Sequence, residues 1–565
     1  MPITVLLLRV AFQLAAAGPA AVQMPTETAP DSIRDLARAR VAQAAFERSR
    51  RRLLPVGSAS AGRCDVRLGR FCWWYDERAT DVPPEAATIG RRRAALLASL
   101  DTVAVRLPGD DWLWGMRVHY RVDGHNGPGA DSVARACSGT PWWCAGLRGY
   151  ALHALGNAAA AESAFTTAVA GMPVEVACTW QNIAPLLDDD ARSAYDRMPC
   201  DGRLALERRY WLLSRPELSV AANEWRNEFN ARRVLVWLGE RGATPHLTTW
   251  GWDAAELVLR YGWPVSWSRV ETSSGLSAEP AILGHDASPS FAFAPRRILP
   301  DSTQPLTDNE WDVADRSARA RFLPRLIRRM TSASAQFARF RRGDSTLVAA
   351  VVLAADDSLR ATVATIGAAA NDGVVASHGS ASAGQTALCV MLAGTPVLAG
   401  VDVADTLTRT VARVRTGFAT TRSTGRVGVS DILVYQGGAP AHSLDAALAL
   451  GVPGDVVRRD APIGLFWETY GLAAEGEPVD VAVRVDRVDR GFLRNTRQRL
   501  RLSPADSPIR MQWVDARPPT GRTAPHTVSL SVGTLEAGRY RITLTVAPAD
   551  GPAATTVREV TLRGS

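Results

Sequence analysis

The chain changes its hydrophobic period partway along, and that change constrains its fold more than any other feature. The segments SIRDLARARVAQAAFERSRRRLL and ATIGRRRAALLASLDTV, between Ser32 and Val103, place apolar residues three and four apart, the spacing of an amphipathic helix. From Ser345 onward, STLVAAVVLAA, LRATVATIGA, TALCVMLAG and GRVGVSDILVYQ are short, β-branched and punctuated by Gly, Asp and Asn, the pattern of antiparallel strands. A second run in that style, IGLFWETYGLA, PVDVAVRVDRV, HTVSLSVGTL and GRYRITLTVAP, extends from Pro462 to the C-terminus. Each run has the size of a β-sandwich.

Between these regimes lies a segment of paired helices. Gly149, Gly156, Ala161, Phe165, Ala168 and Pro173 stand at the spacings of a tetratricopeptide repeat, in which small residues let two antiparallel helices touch and an aromatic fills the gap. A more degenerate copy precedes it around Trp112 to Ala136, interrupted by DGHNGPG, and a weaker one follows around Trp180 to Tyr195.

The N-terminus, MPITVLLLRVAFQLAAAGPAAVQ, carries an apolar run followed by small residues, as an export signal cleaved between Ala17 and Gln23 does. Cysteine usage points the same way. Six of the seven fall into local pairs, Cys64 with Cys72, Cys137 with Cys144 and Cys178 with Cys200, as an oxidising compartment produces. Zinc is the competing reading, but the spacings are not Cys-x-x-Cys and no histidine lies at ligand distance, so no metal is expected. Cys389 sits alone in an apolar run and reads as a buried thiol. No later segment has the roughly 18 uncharged apolar residues of a membrane span, so a periplasmic or extracellular location is expected.

Every Lys/Arg position is arginine, and the net charge of +8 is modest for 565 residues. It permits attraction to anionic lipid or polysaccharide; nucleic acid is not an expected partner. The arginines that cluster, Arg316, Arg319, Arg321, Arg325, Arg328, Arg329, Arg339, Arg341 and Arg342, read as one helix with an arginine-covered face. That face is either simply solvated or, around Arg328, an anionic docking surface.

The densest concentration of Trp, Arg and carboxylates runs from Glu207 to Trp267. Tyr210, Trp211, Asn223, Glu224, Phe229 and Arg232, then Gly251-Trp252 and Tyr261-Gly262-Trp263-Pro264, resemble the GWxTD domain family of exported bacterial proteins. VSDILVY at Val429 to Tyr435 and LFWETYGL at Leu465 to Leu472 match two later pieces of that family. The family's Thr-Asp and the Asp-Arg-Gly that follows are absent; Gly251-Trp252 continues as Asp253-Ala254-Ala255-Glu256. The resemblance implies architecture and compartment, not a reaction.

Together these readings predict a multidomain α + β chain: a helical-repeat, tetratricopeptide-like N-terminal half, a central α/β GWxTD-like module and two C-terminal antiparallel β-sandwiches. The expected bounds are 1–23 for the signal, 24–107 for a helical region with a Cys64/Cys72 loop and 108–205 for the repeats. The central module follows at 206–300, an arginine-rich helical linker at 301–344, and the sandwiches at 345–440 and 460–565.

Two functional readings follow. In the first, the chain is a non-enzymatic scaffold binding an envelope protein, since helical repeats make concave binding surfaces. Its contacts are then Trp73, Trp74, Trp142 and Trp143 on Cys-flanked loops, with Trp252 and Arg328, unless those tryptophans are buried in the core. In the second, Asp253 and Glu256 are the two acids of an envelope glycan hydrolase, or the neighbouring tryptophans bind carbohydrate without catalysis. Against this, Glu256 can pair with Arg232, Arg233 or Arg260, and Trp250, Trp252, Trp263 and Trp267 can be core packing. No phosphate loop is present, and no cofactor is expected.

Overall fold

The structure, a computed structural model, describes residues 30–56, 66–73, 84–245, 250–270, 281–285, 289–298, 305–354, 362–370, 373–380, 385–418, 425–473, 477–488, 509–516 and 523–564. The expected signal at 1–23, Cys64 and Trp74 lie outside these residues, as does the Cys72 side chain.

The N-terminal half is helical. Its helices are α1 (Pro30–Leu53), α2 (Ala87–Arg106), α3 (Asp111–Asp123), α4 (Gly127–Arg135), α5 (Pro141–Leu155), α6 (Ala158–Gly171) and α7 (Val174–Gln181). They are followed by α8 (Asp189–Asp196), α9 (Cys200–Leu213), α10 (Glu224–Gly239) and α11 (Trp252–Tyr261). Two short hairpins, β1 (Val66–Leu68) with β2 (Phe71–Trp73) and β3 (Ser266–Val270) with β4 (Ala281–His285), pair antiparallel beside them. Starts are set by local chemistry: Asp110, Asn126, Asn157, Asp188 and Asn223 each accept an N–H of the first turn through a side-chain oxygen. Successive helices from α1 to α6 pack on one another, and α10 lies across α3, α5 and α6.

The α5–α6 pair shows why its small residues matter. Gly156 ends α5 in the left-handed region, at φ +79°, where glycine carries no Cβ penalty. A Cβ on Gly149 would lie 2.6 Å from the buried Phe165 ring. Gly149→Ala is therefore expected to lower stability by about 1–3 kcal/mol through overpacking; Phe165→Leu in the same background should restore much of it. Thermal unfolding of the parent and the two variants is the check, and equal stability of Gly149→Ala and the parent would refute the close approach. Two disulfides tie this half together, Cys137–Cys144 between α4 and α5 and Cys178–Cys200 between α7 and α9.

The C-terminal half is β-rich. One seven-stranded sheet comprises β5 (Arg329–Arg342), β6 (Ser345–Ala354), β7 (Thr362–Ala370), β8 (Gly373–Ser380), β9 (Gln385–Ala393), β10 (Leu398–Asp405) and β11 (Thr410–Gly417). Its order is β8-β7-β10-β11-β5-β6-β9, and it curls so that β7 and β8 come back against β9. Beyond it come β12 (Gly428–Val429), β13 (Leu433–Gln436), helix α12 (Leu444–Ala449), β14 (Val456–Arg458), β15 (Ile463–Tyr470) and β16 (Val479–Arg487). The last strands are β17 (Ile509–Asp515), β18 (Thr523–Leu530), β19 (Gly538–Pro548) and β20 (Ala554–Arg563). A four-stranded sheet, in which β15 pairs β12, β13 and β18, faces a five-stranded one of order β14-β20-β19-β16-β17. Leu465 and Trp467 from the first meet Val481, Val483 and Leu544 from the second in one apolar core.

Four expectations are corrected. The arginine-rich segment is not one helix: Arg329–Arg342 is a strand, paired parallel to β11 and antiparallel to β6. Phe337, Ala338 and Phe340 are buried along it, so sheet burial outweighs the helix-like charge density. Its arginines disperse to separate partners, Arg339 to Asp431, Arg342 to Glu468 and Arg325 to the carbonyls that end α5. The bound between 205 and 206 divides one core, because α10 packs against the preceding helices. Val429–Tyr435, expected within the first β unit, pairs with β15 of the second. Finally, the sheets are not purely antiparallel, since β5/β11 and β14/β20 run parallel.

Candidate functional site

A cleft of about 1180 Å³ runs between α9, the loop 214–223 and α10 on one side and β8 with its flanks on the other. It is built largely from the Glu207–Trp267 stretch. Trp211, Leu213, Leu218 and Phe229 make an apolar floor, and Val374, Ala376 and Val397 line the opposite side.

Each wall has a local cause. The Asn223 Oδ1 caps α10 by accepting the Arg226 N–H, and its Nδ2 donates to the Trp211 carbonyl at 2.7 Å, joining the two helices. Arg215 donates to the carbonyls of Glu217, Val220 and Ala221, which folds the loop around its guanidinium. The loop is tied to β11: Arg413 donates to the Arg215 carbonyl at 3.2 Å and Arg415 to the Pro216 carbonyl at 3.3 Å. Burial, and then Arg415, lower the Arg413 pKa to about 9, while burial and Asp402 raise Glu217 to about 7.

The cleft's own charges are unbalanced. Arg208, Arg209, Arg215 and Arg226 line it. Among the described residues, Arg208 and Arg209 reach the carbonyls of Leu204 and Ile298. Of the lining carboxylates, Glu207 is buried and accepts the Tyr195 hydroxyl at 2.5 Å, burial raising its pKa, and Glu162 faces the Asn223 N–H. Trp180 Nε1 donates to Asn230 Oδ1, fixing that side chain in the floor.

The residues singled out from the sequence lie elsewhere. Trp73 is buried and stacks on Tyr261 at 4.0 Å between ring centroids. Trp143 is fully buried, tilted on Trp237 at 4.0 Å with its Nε1 donating to the Asp111 carbonyl. Trp142 is half-buried edge-on between Trp143 and Trp180. Their large apolar area is best removed from water, so these three are packing residues rather than exposed contacts. Trp252 is 68% exposed at the start of α11, and Arg328 is exposed. Cys389 is half-buried on β9.

Asp253 and Glu256 are both buried on α11 and both bound by arginine. Arg70 grips Asp253 with two nitrogens, each at 2.8 Å, and its backbone N–H adds a third contact at 3.1 Å. These bonds hold the Asp253 carboxyl far below the usual carboxylate range. Glu256 pairs with Arg260 one turn on and with Arg192 of α8 at 3.2 Å. Asp253 thus fastens the β1–β2 hairpin to α11, and Glu256 fastens α8. Asp253→Asn is expected to release the hairpin, read as faster amide exchange in Val66–Trp73 with α3 and α5 unchanged; unaltered exchange would show that the pair does not hold it.

Sequence reasoning missed Arg208, Arg209 and Arg226. The readable signal was three arginines flanking Trp211 and Phe229 without the acid three or four residues away that satisfies Arg232 through Glu228. Among the described residues, no group of three or more His, Cys, Asp or Glu side chains is gathered to hold a metal, and no helix is long and apolar enough to cross a membrane. No protein-family model and no curated protein sequence matches this chain.

Proposed function

We propose that this chain is an exported, non-enzymatic scaffold protein of the bacterial cell envelope that holds a polypeptide partner in the cleft between its helical half and the curled sheet. The observation that carries this reading is the cleft itself, lined by apolar side chains and arginines and larger than the roughly 300–1,000 Å³ of small-molecule sites. The two disulfides support export. The close contact of Gly149 with Phe165 supports a tetratricopeptide-like pair, and the shared core of the last two sheets supports a β-sandwich. In this proposal the GWxTD-like central stretch contributes Trp211, Asn223 and Phe229 to the cleft lining.

The test places a photocrosslinking residue at Val220 in intact cells of the source organism, with Val557, exposed on β20, as the distant control. A defined envelope polypeptide captured from Val220 and not from Val557 is the expected result. No capture from the cleft site overturns the reading.

A carbohydrate-binding alternative rests on the exposed Trp252 beside Asp253 and Glu256. In that reading Trp252→Ala abolishes retention on envelope glycan while the Val220 crosslink is absent.

A further inference from the structure

We infer that the cleft takes an extended polypeptide segment in which acidic side chains alternate with apolar ones. This rests on the binding reading above and adds the chemistry of the occupant.

The argument is charge complementarity over an apolar floor. Several arginines elsewhere in this half are neutralised by carboxylates: Arg50 and Arg93 by Asp123, Arg117 and Arg121 by Asp101, Arg192 and Arg260 by Glu256. Among the described residues, Arg208, Arg209, Arg215 and Arg226 form no salt bridge. Arg215 spends its donors on the loop carbonyls. That leaves Arg208 and Arg209 on α9 and Arg226 on the first turn of α10 as donors around Trp211, Leu218 and Phe229. Burial disfavours the Arg209 charge and no acid compensates it. An incoming carboxylate supplies the missing partner, most strongly at the half-buried Arg209 and more weakly at the exposed Arg208.

The same chemistry argues for a peptide over an acyl chain. A hydrocarbon would cover the guanidinium groups of Arg208, Arg209 and Arg226 without neutralising them, a costly arrangement, whereas a peptide can bring carboxylates to them.

The experiment uses the full chain with its disulfides intact and a short fluorescein-labelled peptide of alternating Glu and Val, read by anisotropy. Its controls are the Lys and Val counterpart and vesicles of phosphatidylglycerol. The acidic peptide should bind and weaken with salt, the basic one should not, and Arg208→Gln with Arg209→Gln and Arg226→Gln should weaken binding about tenfold, the sum of three modest ion pairs. Since Gln keeps helix propensity and these side chains hold no carboxylate, the triple variant should keep the parent's circular dichroism, with only a small drop in unfolding midpoint from loss of the Arg209–Ile298 bond. Equal binding of the two peptides, an unaffected triple variant, or capture by vesicles in place of peptide would each overturn the proposal. If the Val220 crosslink persists in any of these cases, the binding reading stands and only the occupant's chemistry is wrong; loss of both removes the cleft as a site.

Discussion

Arg415→Met should destabilise the curled sheet by about 3–5 kcal/mol, the cost of stranding a buried counter-ion. Arg415 is 1% exposed, and its Nη2 donates to Asp402 Oδ2 at 2.8 Å between adjacent strands β10 and β11. Asp402 is also buried, so losing the guanidinium removes its ion-pair partner and leaves it only the more distant charge of Arg413 across the ladder. Arg415 further donates to the Pro216 carbonyl, and its backbone N–H donates to Asp308. The cleft loop should loosen with the sheet, and the acidic peptide should bind more weakly although Arg415 does not line the cleft. A chain with several cores does not unfold in one step, so the measurement is native-state hydrogen exchange of the β10 and β11 amides, with peptide affinity in parallel. Adding Asp402→Leu should recover most of the exchange protection without restoring the loop tether. If the single variant exchanged like the parent, the pair would contribute nothing to the sheet.

That network also shows where sequence reading ends. Arg415 and Asp402 are separated by a turn and each is ordinary in its strand; only the register that sets Asp402 opposite Arg413 brings them together. Patterns contained within one element were legible. The helical period gave α1 and α2, the small residues gave the α5–α6 contact, and the β-branched runs gave β6, β9, β15 and β19. Two of the cysteine pairs are bonded as their proximity in sequence predicted, and Glu256 found Arg260 one helical turn away. What failed depended on partners far along the chain. The β5 arginines mimic a charged helical face until β6 and β11 flank the segment. Trp73 and Trp143 lie next to cysteines, which suggested presented loops, but Tyr261 and Trp237 lie over them. The cleft was half legible: its floor and one wall come from the stretch with the densest aromatics, whereas β8 joins it only through the fold of the whole molecule.

Glu47 gives the other large effect, a stability difference that grows with pH. It is 1% exposed in the last third of α1. The Tyr120 hydroxyl donates to its Oε1 at 2.7 Å, and Gln43 donates both to that hydroxyl and to the Ala243 carbonyl, tying α1 to α3 and to the chain beyond α10. Burial dominates, and Arg50, 3.9 Å away and shared with Asp123, offsets it only in part, so the Glu47 pKa rises from 4.5 to about 7. A carboxyl raised on folding contributes stability that is complete below pH 4.5 and lost as pH climbs through about 7. His119, lining the same small cavity, does the opposite: burial lowers its pKa from 6.5 to about 4, so its contribution is present above 6.5 and lost as pH falls through about 4. The two trends nearly cancel in the parent between these limits. Glu47→Gln removes one of them, since the amide keeps an oxygen for Tyr120 and never ionises. The variant should be more stable than the parent by about 3 kcal/mol near pH 8, with the advantage shrinking to about zero near pH 4.5. Exchange protection of the α1 and α3 amides across that range measures the difference directly. A constant offset at every pH would mean that Glu47 keeps its ordinary carboxylate behaviour, and that the α1–α3 junction is held by the Phe46–Tyr120 packing, the Gln43–Tyr120 bond and the Arg50–Asp123 pair.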